Sequence, residues 1–218
     1  MRLGKYIMTF GSYTKSETTV LFKDNRVLVN DKIECFSYEI KENDIIKIDE
    51  KILESFSFSY FLYYKPIGIL SDIKNVEYSY INQINLNFKV MPCGRLDRLS
   101  EGLMILTNDG KFINNISNSN AKCDKEYIVT VKNIITEQFM KGICLPIKIK
   151  NRLTKPILAN KIDNYNLSMI LNEGLYHQIR KIVKANNNYV TNLKRIRIGQ
   201  YHLEDLKPGE IREIKMDR

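Results

Sequence analysis

The sequence predicts an α+β fold in which a small α/β module precedes a larger, sheet-based domain. Three observations carry that prediction. The first fifty residues read as two short helical patterns, a hairpin and a closing strand; strand-like and helical stretches alternate from residue 60 onward; and Leu103-Met104-Ile105-Leu106 is an unbroken apolar run between Gly102 and Thr107-Asn108-Asp109-Gly110. Such a run closed by a turn reads as a short strand buried on both faces. With 218 residues, 44% of them hydrophobic, the chain has apolar material for a real core, in one large or two small domains.

In order along the chain, Leu3, Ile7 and Phe10 follow helical spacing and Gly11 ends the pattern. Residues 16–22 form a second helical pattern, and residues 26–29 are strand-like. Asn30-Asp31 supplies a turn before a return strand over 32–35, and 44–48 closes the unit. Residues 51–58 connect it to the second domain, giving boundaries of 1–50, 51–58 and 59–218. The second domain opens on an aromatic strand over 60–64 that ends at Lys65-Pro66. After the buried run at 103–106 come a β-like stretch at 125–132, a helix at 136–141, a strand at 168–171, a helix at 178–185 and a strand at 195–198. Residues 201–214 supply late edge structure.

The net charge of +9 suits a polyanionic partner, and its distribution is uneven. Residues 1–50 carry a net −1, residues 51–119 a net +1, and residues 120–218 a net +9. The excess therefore lies late in the chain, where Lys194-Arg195-Ile196-Arg197 and the stretch 148–155 are placed to meet phosphates. Within residues 1–26, Arg2, Lys5, Lys15, Lys23 and Arg26 outnumber Glu17 and Asp24, leaving a local +3. No run reaches the roughly 18 apolar residues of a membrane helix, and residues 1–5 do not lead into a secretory stretch. A soluble cytoplasmic protein is expected, without a membrane partner and as a monomer. Four scattered cysteines without a Cys-x-x-Cys pair, and only His177 and His202, make neither zinc nor disulfides expected.

Asp97 stands in Gly94-Arg95-Leu96-Asp97-Arg98-Leu99-Ser100-Glu101-Gly102, a polar turn leading into the buried run. An aspartate in such a place also serves to cap a turn or to pair with Arg95 or Arg98. The segment, continued through Gly110, resembles the catalytic motif of the pseudouridine synthases, most closely the branch that modifies bacterial ribosomal RNA. Three further matches fall in the expected order: Tyr64-Lys65-Pro66-Ile67-Gly68, Lys125-Glu126-Tyr127, and Glu173-Gly174-Leu175-Tyr176-His177-Gln178-Ile179-Arg180-Lys181-Ile182. The first fifty residues resemble the S4 RNA-binding domain through Arg2-Leu3, Thr14-Lys15 and Val27-Leu28-Val29-Asn30. Gly4 replaces a usual aspartate, and Asn25 and Asp31 replace usual glycines; both side chains tolerate positive φ.

The resemblance implies a pseudouridine synthase domain with a mixed, largely antiparallel sheet flanked by helices and an active site in a cleft across it. It implies a cofactor-free isomerisation: the bond from uracil N1 to the sugar breaks, the base turns, and C5 takes its place. Asp97 is then the catalytic carboxylate, Arg180 the guanidinium that pairs with it and keeps it anionic, and Tyr127 the ring that stacks on the everted uracil and assists proton removal at C5. Arg95 and Arg98, which flank Asp97, engage the RNA backbone or wedge near the everted nucleotide, while His177 and Gln178 shape the cleft and touch RNA. The expected RNA contacts are completed by Arg2, Lys5, Lys15, Lys23, Arg26, Lys194, Arg195 and Arg197. Tyr176-His177-Gln178, with residues 195–199, is similar to the small-subunit enzymes, so the expected partner is 16S ribosomal RNA or a small-subunit assembly intermediate. A 23S-directed enzyme of the same fold and a non-catalytic RNA-binding or assembly factor are the alternatives.

Overall fold

The computed structural model describes residues 1–11, 13–41, 43–53, 58–72, 76–86, 88–117 and 123–215, which cluster into two compact units. The first comprises 1–59 with 86–91, so that a short segment from the middle of the chain groups with the amino-terminal module. The second comprises 60–85 and 92–218. Residues 54–57 of the connection expected over 51–58 lie outside the described residues. No helix among the described residues is long and apolar enough to cross a membrane.

In the first unit, helix Leu3–Phe10 stops at Gly11, whose N–H donates to the Ile7 carbonyl. Helix Lys15–Lys23 begins with a reciprocal cap: the Thr14 hydroxyl accepts from the Glu17 N–H and the Glu17 carboxylate accepts from the Thr14 N–H. Four short antiparallel strands follow, ordered Lys32–Ile33, Val27–Val29, Ile46–Ile48 and Lys51–Ile52. Leu3, Ile7, Leu21, Val27, Val29, Ile46 and Ile48 form their common core. The two substitutions for glycine are explained by backbone geometry, since Asn25 and Asp31 have φ of +54° and +63°. Gly4 has a separate reason, because a Cβ there would meet the Phe36 ring at 2.3 Å.

In the second unit, seven strands follow the order Leu158–Lys161, Asn166–Leu171, Lys125–Val131, Val190–Ile198, Glu101–Thr107, Tyr60–Lys65 and Ile211–Ile214. Every neighbouring pair is antiparallel except Val190–Ile198 with Glu101–Thr107, which is parallel. The sheet is thus mixed and largely antiparallel. Leu103, Met104, Ile105 and Leu106 have no exposed surface, as a strand covered on both faces requires. Helices Glu137–Ile143 and Gln178–Ala185 pack Phe139, Ile143, Ile179, Ile182 and Val183 onto Val129, Leu167, Met169 and Leu193. Helix Gly110–Ser117 packs Phe112, Ile113 and Ile116 beside Leu62, Tyr64, Leu103 and Ile105. Strand Ile211–Ile214 occupies the sheet edge beside Tyr60–Lys65.

Candidate active site

The parallel seam of the sheet positions the site. Strand Glu101–Thr107 is entered through the loop 94–100, and several buried groups fix that loop from behind. Ser71 clamps the backbone next to Asp97: its hydroxyl donates to the Leu96 carbonyl at 2.8 Å and accepts from the Leu96 N–H at 3.1 Å. The Ser100 N–H donates to the Asp97 carbonyl at 3.0 Å, closing a turn. Arg195, only 1% exposed, donates to the carbonyls of Leu103 at 2.7 Å, Gly94 at 3.2 Å and Arg95 at 3.5 Å. Gly102 permits this approach, since a Cβ there would stand 2.3 Å from the Arg195 carbonyl oxygen, and its φ is +103°. Lys65, fully buried, donates to the Pro66 and Ile69 carbonyls. Burial, assisted by Arg195 and opposed by Asp97 and Glu101, lowers its pKa to about 8.

The loop opens onto a cleft of about 660 Å³ lined by Arg95, Asp97, Arg98, Lys125, Tyr127, Tyr176, His177 and Arg180, among others. Three separate stretches of sequence therefore meet. Lys125 and Tyr127 both line it because a strand's period of two points residues i and i+2 to one face. Glu126, between them, instead accepts from Arg197 at 2.9 Å. Burial lowers the Lys125 pKa; its ammonium donates to the Cys123 carbonyl.

Arg180 enters at the start of helix Gln178–Ala185 but does not make the expected ion pair. Among the described residues, no ion pair within 4.0 Å joins its guanidinium to the Asp97 carboxylate. Its guanidinium donates instead to the Leu99 carbonyl at 2.8 Å, to Ser100 Oγ at 3.4 Å and to the Val190 carbonyl at 3.4 Å. A planar group with five donors satisfies itself on the Leu99 carbonyl, the Ser100 hydroxyl and the Val190 carbonyl, so Arg180 braces the segment that bears Asp97. The side chain beside the carboxylate is His177, whose Nε2 lies 3.6 Å from Asp97 Oδ1. His177 holds a φ of +55° immediately before the helix, an uncommon conformation for a residue with a Cβ.

The expected RNA contacts divide. Arg2, Lys5, Lys15, Lys23 and Arg26 are all exposed on the first unit, with Arg26 in a two-pronged ion pair to Asp49. Arg95 and Arg98 are exposed at the cleft; Arg98 is steadied by the Gly68 carbonyl at 3.1 Å and lies 5.0 Å from the Tyr78 ring centroid. Three expectations need correction. Arg195 is interior, because strand alternation turns it inward while Lys194 lies on the other side, its ammonium 5.1 Å from the Tyr64 ring centroid. Arg197 is committed to Glu126 and to the Gly199 carbonyl, a bulge between Arg195 and Arg197 having shifted its register. Gln178 is buried, donating to Glu173 Oε1 at 2.7 Å and accepting from the Leu175 N–H at 3.0 Å.

Sequence reasoning passed over Ser71 and quoted Glu173 only as the start of a motif, without a role. Glu173 Oε1 also accepts from the Lys155 N–H at 2.9 Å, while its Oε2 makes no hydrogen bond among the described residues and lies 3.8 Å from an Arg152 guanidinium nitrogen. A carboxylate two residues beyond an apolar strand, just before Gly174, was the available signal.

Residues 59–185 match the RNA pseudouridylate synthase family. An uncharacterized RNA pseudouridine synthase of Aquifex aeolicus is 31% identical, over 98% of this chain and 92% of its own. The ribosomal small subunit pseudouridine synthase A of Pasteurella multocida is 30% identical, over 100% and 97%. A dual-specificity RNA pseudouridine synthase of Escherichia coli is 30% identical, over 100% of this chain and 76% of its own. The crystal structure of a pseudouridylate synthase superposes with a TM-score of 0.70 at 29% identity, covering 99% of this chain and 96% of that one.

Proposed function

Because the chain belongs to the RNA pseudouridylate synthase family, we propose that it isomerises uridine to pseudouridine in ribosomal RNA, using Asp97, Tyr127 and Arg180. The observation that carries this reading is the placement of the loop-borne carboxylate of Asp97 in a cleft that also holds the Tyr127 ring and the Arg180 guanidinium. The target uridine leaves its stack at a cost of a few kcal/mol, offset by phosphate contacts and stacking. Asp97 supplies an anionic oxygen beside the sugar–base bond. As N1 separates from C1′, Tyr127 covers the detached uracil while it turns. C5 then bonds to C1′, the C5 proton is lost to solvent by way of Tyr127, and N1 regains one. Arg180 keeps residues 99–100, and with them Asp97, in register.

The target is 16S ribosomal RNA, free or in a partly assembled small-subunit particle. Support comes from Tyr176-His177-Gln178 and from the full-length likeness to the small-subunit synthase. The first unit acts as the RNA-holding module, its exposed Arg2, Lys5, Lys15 and Lys23 meeting phosphates, and the protein works as a cytoplasmic monomer. Tritium release from 16S RNA labelled at uridine C5 tests the assignment. Wild type releases tritium, and Asp97→Asn binds the RNA but loses more than about 10²-fold in rate. Binding without release by either protein would instead identify an RNA-binding factor. Carbodiimide-stop mapping of ribosomal RNA from cells lacking the gene then locates the uridine, and a missing stop in 23S RNA would overturn the choice of subunit.

A further inference from the structure

Tyr176 takes no part in that scheme, yet its setting is unusual for an exposed aromatic. It lies in the loop before helix Gln178–Ala185, is 64% exposed and lines the cleft. Its ring stacks on the His177 imidazole, with centroids 3.8 Å apart and planes 18° from parallel. That imidazole is the group 3.6 Å from Asp97. The Lys181 ammonium, one turn along the helix, stands 4.9 Å from the Tyr176 centroid. An aromatic ring left largely in water, braced by a second ring and with an ammonium at hand, suits a base bearing its own phosphate. Every base offers a π-face, and the flexible lysine stem lets the ammonium move to the phosphate when the base arrives.

We propose that Tyr176 is the stacking platform for the nucleobase next to the everted uridine, with His177 as its inner support and Lys181 as the contact to that nucleotide's phosphate. The inference rests on the isomerase reading of the cleft and adds to it a binding site for a flanking nucleotide. A base held against Tyr176 keeps the strand from restacking while its neighbour is turned out towards Asp97. The demand is for a flat π surface rather than a hydroxyl, so phenylalanine and tryptophan serve and leucine of similar bulk does not.

The chain has thirteen tyrosines and no tryptophan, so Tyr176→Trp installs a sole indole reporter at the proposed platform. With a 16S RNA transcript tritiated at uridine C5, Tyr176→Leu is expected to raise KM roughly 5- to 150-fold, the range for loss of one stacked base. Tyr176→Phe is expected to restore the wild-type value. The fluorescence of Tyr176→Trp is expected to be quenched by the transcript and not by inorganic polyphosphate, which carries charge without bases. A wild-type KM for Tyr176→Leu overturns the platform, as does an indole indifferent to RNA or quenched equally by polyphosphate. Should wild type release no tritium, the isomerase reading falls, and the fluorescence arm still decides whether a base stacks on residue 176.

Discussion

Lys65 is the residue whose placement is most at odds with its chemistry. Its ammonium is enclosed at the end of an aromatic strand, behind the loop that carries Asp97, and is held by two carbonyls. Its folded pKa of about 8 lies below the ordinary 10.5, so between those values the unfolded chain binds more protons than the native one. Stability contributed by this site therefore rises with pH across that window and is lost as pH falls back through the lower value. In urea titrations from pH 8 to 10.5, wild type is expected to gain on Lys65→Met by up to about 1.4 kcal/mol per pH unit. A flat difference would mean that the ammonium is not enclosed. Asp97 and Tyr127 were legible as single residues because their motifs are local. The partner of Arg180 was not, since a guanidinium chooses among acceptors brought together only by the fold, and Leu99 and Val190 lie 81 and 10 residues away.

At the scale of elements, the site depends on the parallel pairing of Val190–Ile198 with Glu101–Thr107. Gly102 and Arg195 touch backbone to backbone there, and the Arg195 side chain then reaches the carbonyls of Gly94 and Arg95 beneath the loop bearing Asp97. Gly102→Ala sets a methyl against the Arg195 carbonyl in a conformation that alanine adopts at a cost of roughly 1–3 kcal/mol, with a similar cost for overpacking. Its unfolding free energy is expected to fall by at least about 2 kcal/mol in urea. Tritium release should fall with it even where the variant remains folded, because the loop loses its backing. Undiminished release by folded Gly102→Ala would sever the seam from the site. Periodicity gave helix Gln178–Ala185 at its observed bounds, since buried Ile179, Ile182 and Val183 share one face. It gave only the second half of strand Val190–Ile198, whose first half mixes threonine, asparagine and lysine with apolar residues. Helix Gly110–Ser117 was hidden by a turn signal. Asp109, read as closing the preceding strand, accepts from the N–H groups of Lys111 and Phe112 and so starts a helix instead.

For the whole molecule the decisive quantity is charge and where it can be reached. The net +9 was legible from composition, and its concentration after residue 120 from simple counting, but counting overstates the cationic surface. Arg195 is interior, Arg197 is paired with Glu126, and Arg26 is paired with Asp49. Lys5 and Lys15 in the first unit are exposed and appear in no ion pair among the described residues. Each lysine that neutralises one phosphate of a single-stranded segment contributes about 0.7 to the slope of log affinity against log salt. The double variant Lys5→Ala, Lys15→Ala is therefore expected to flatten the slope for 16S RNA binding by about 1.4, with its affinity approaching that of wild type as salt is raised. Arg26→Ala, which removes an internally neutralised cation, should change the slope by much less. Filter binding across a salt series separates the two. Flattening by about 0.7 with Arg26→Ala, half that of the double variant, would show that the Arg26–Asp49 pair opens on RNA, and an unchanged slope for the double variant would remove the first unit from the RNA-binding surface.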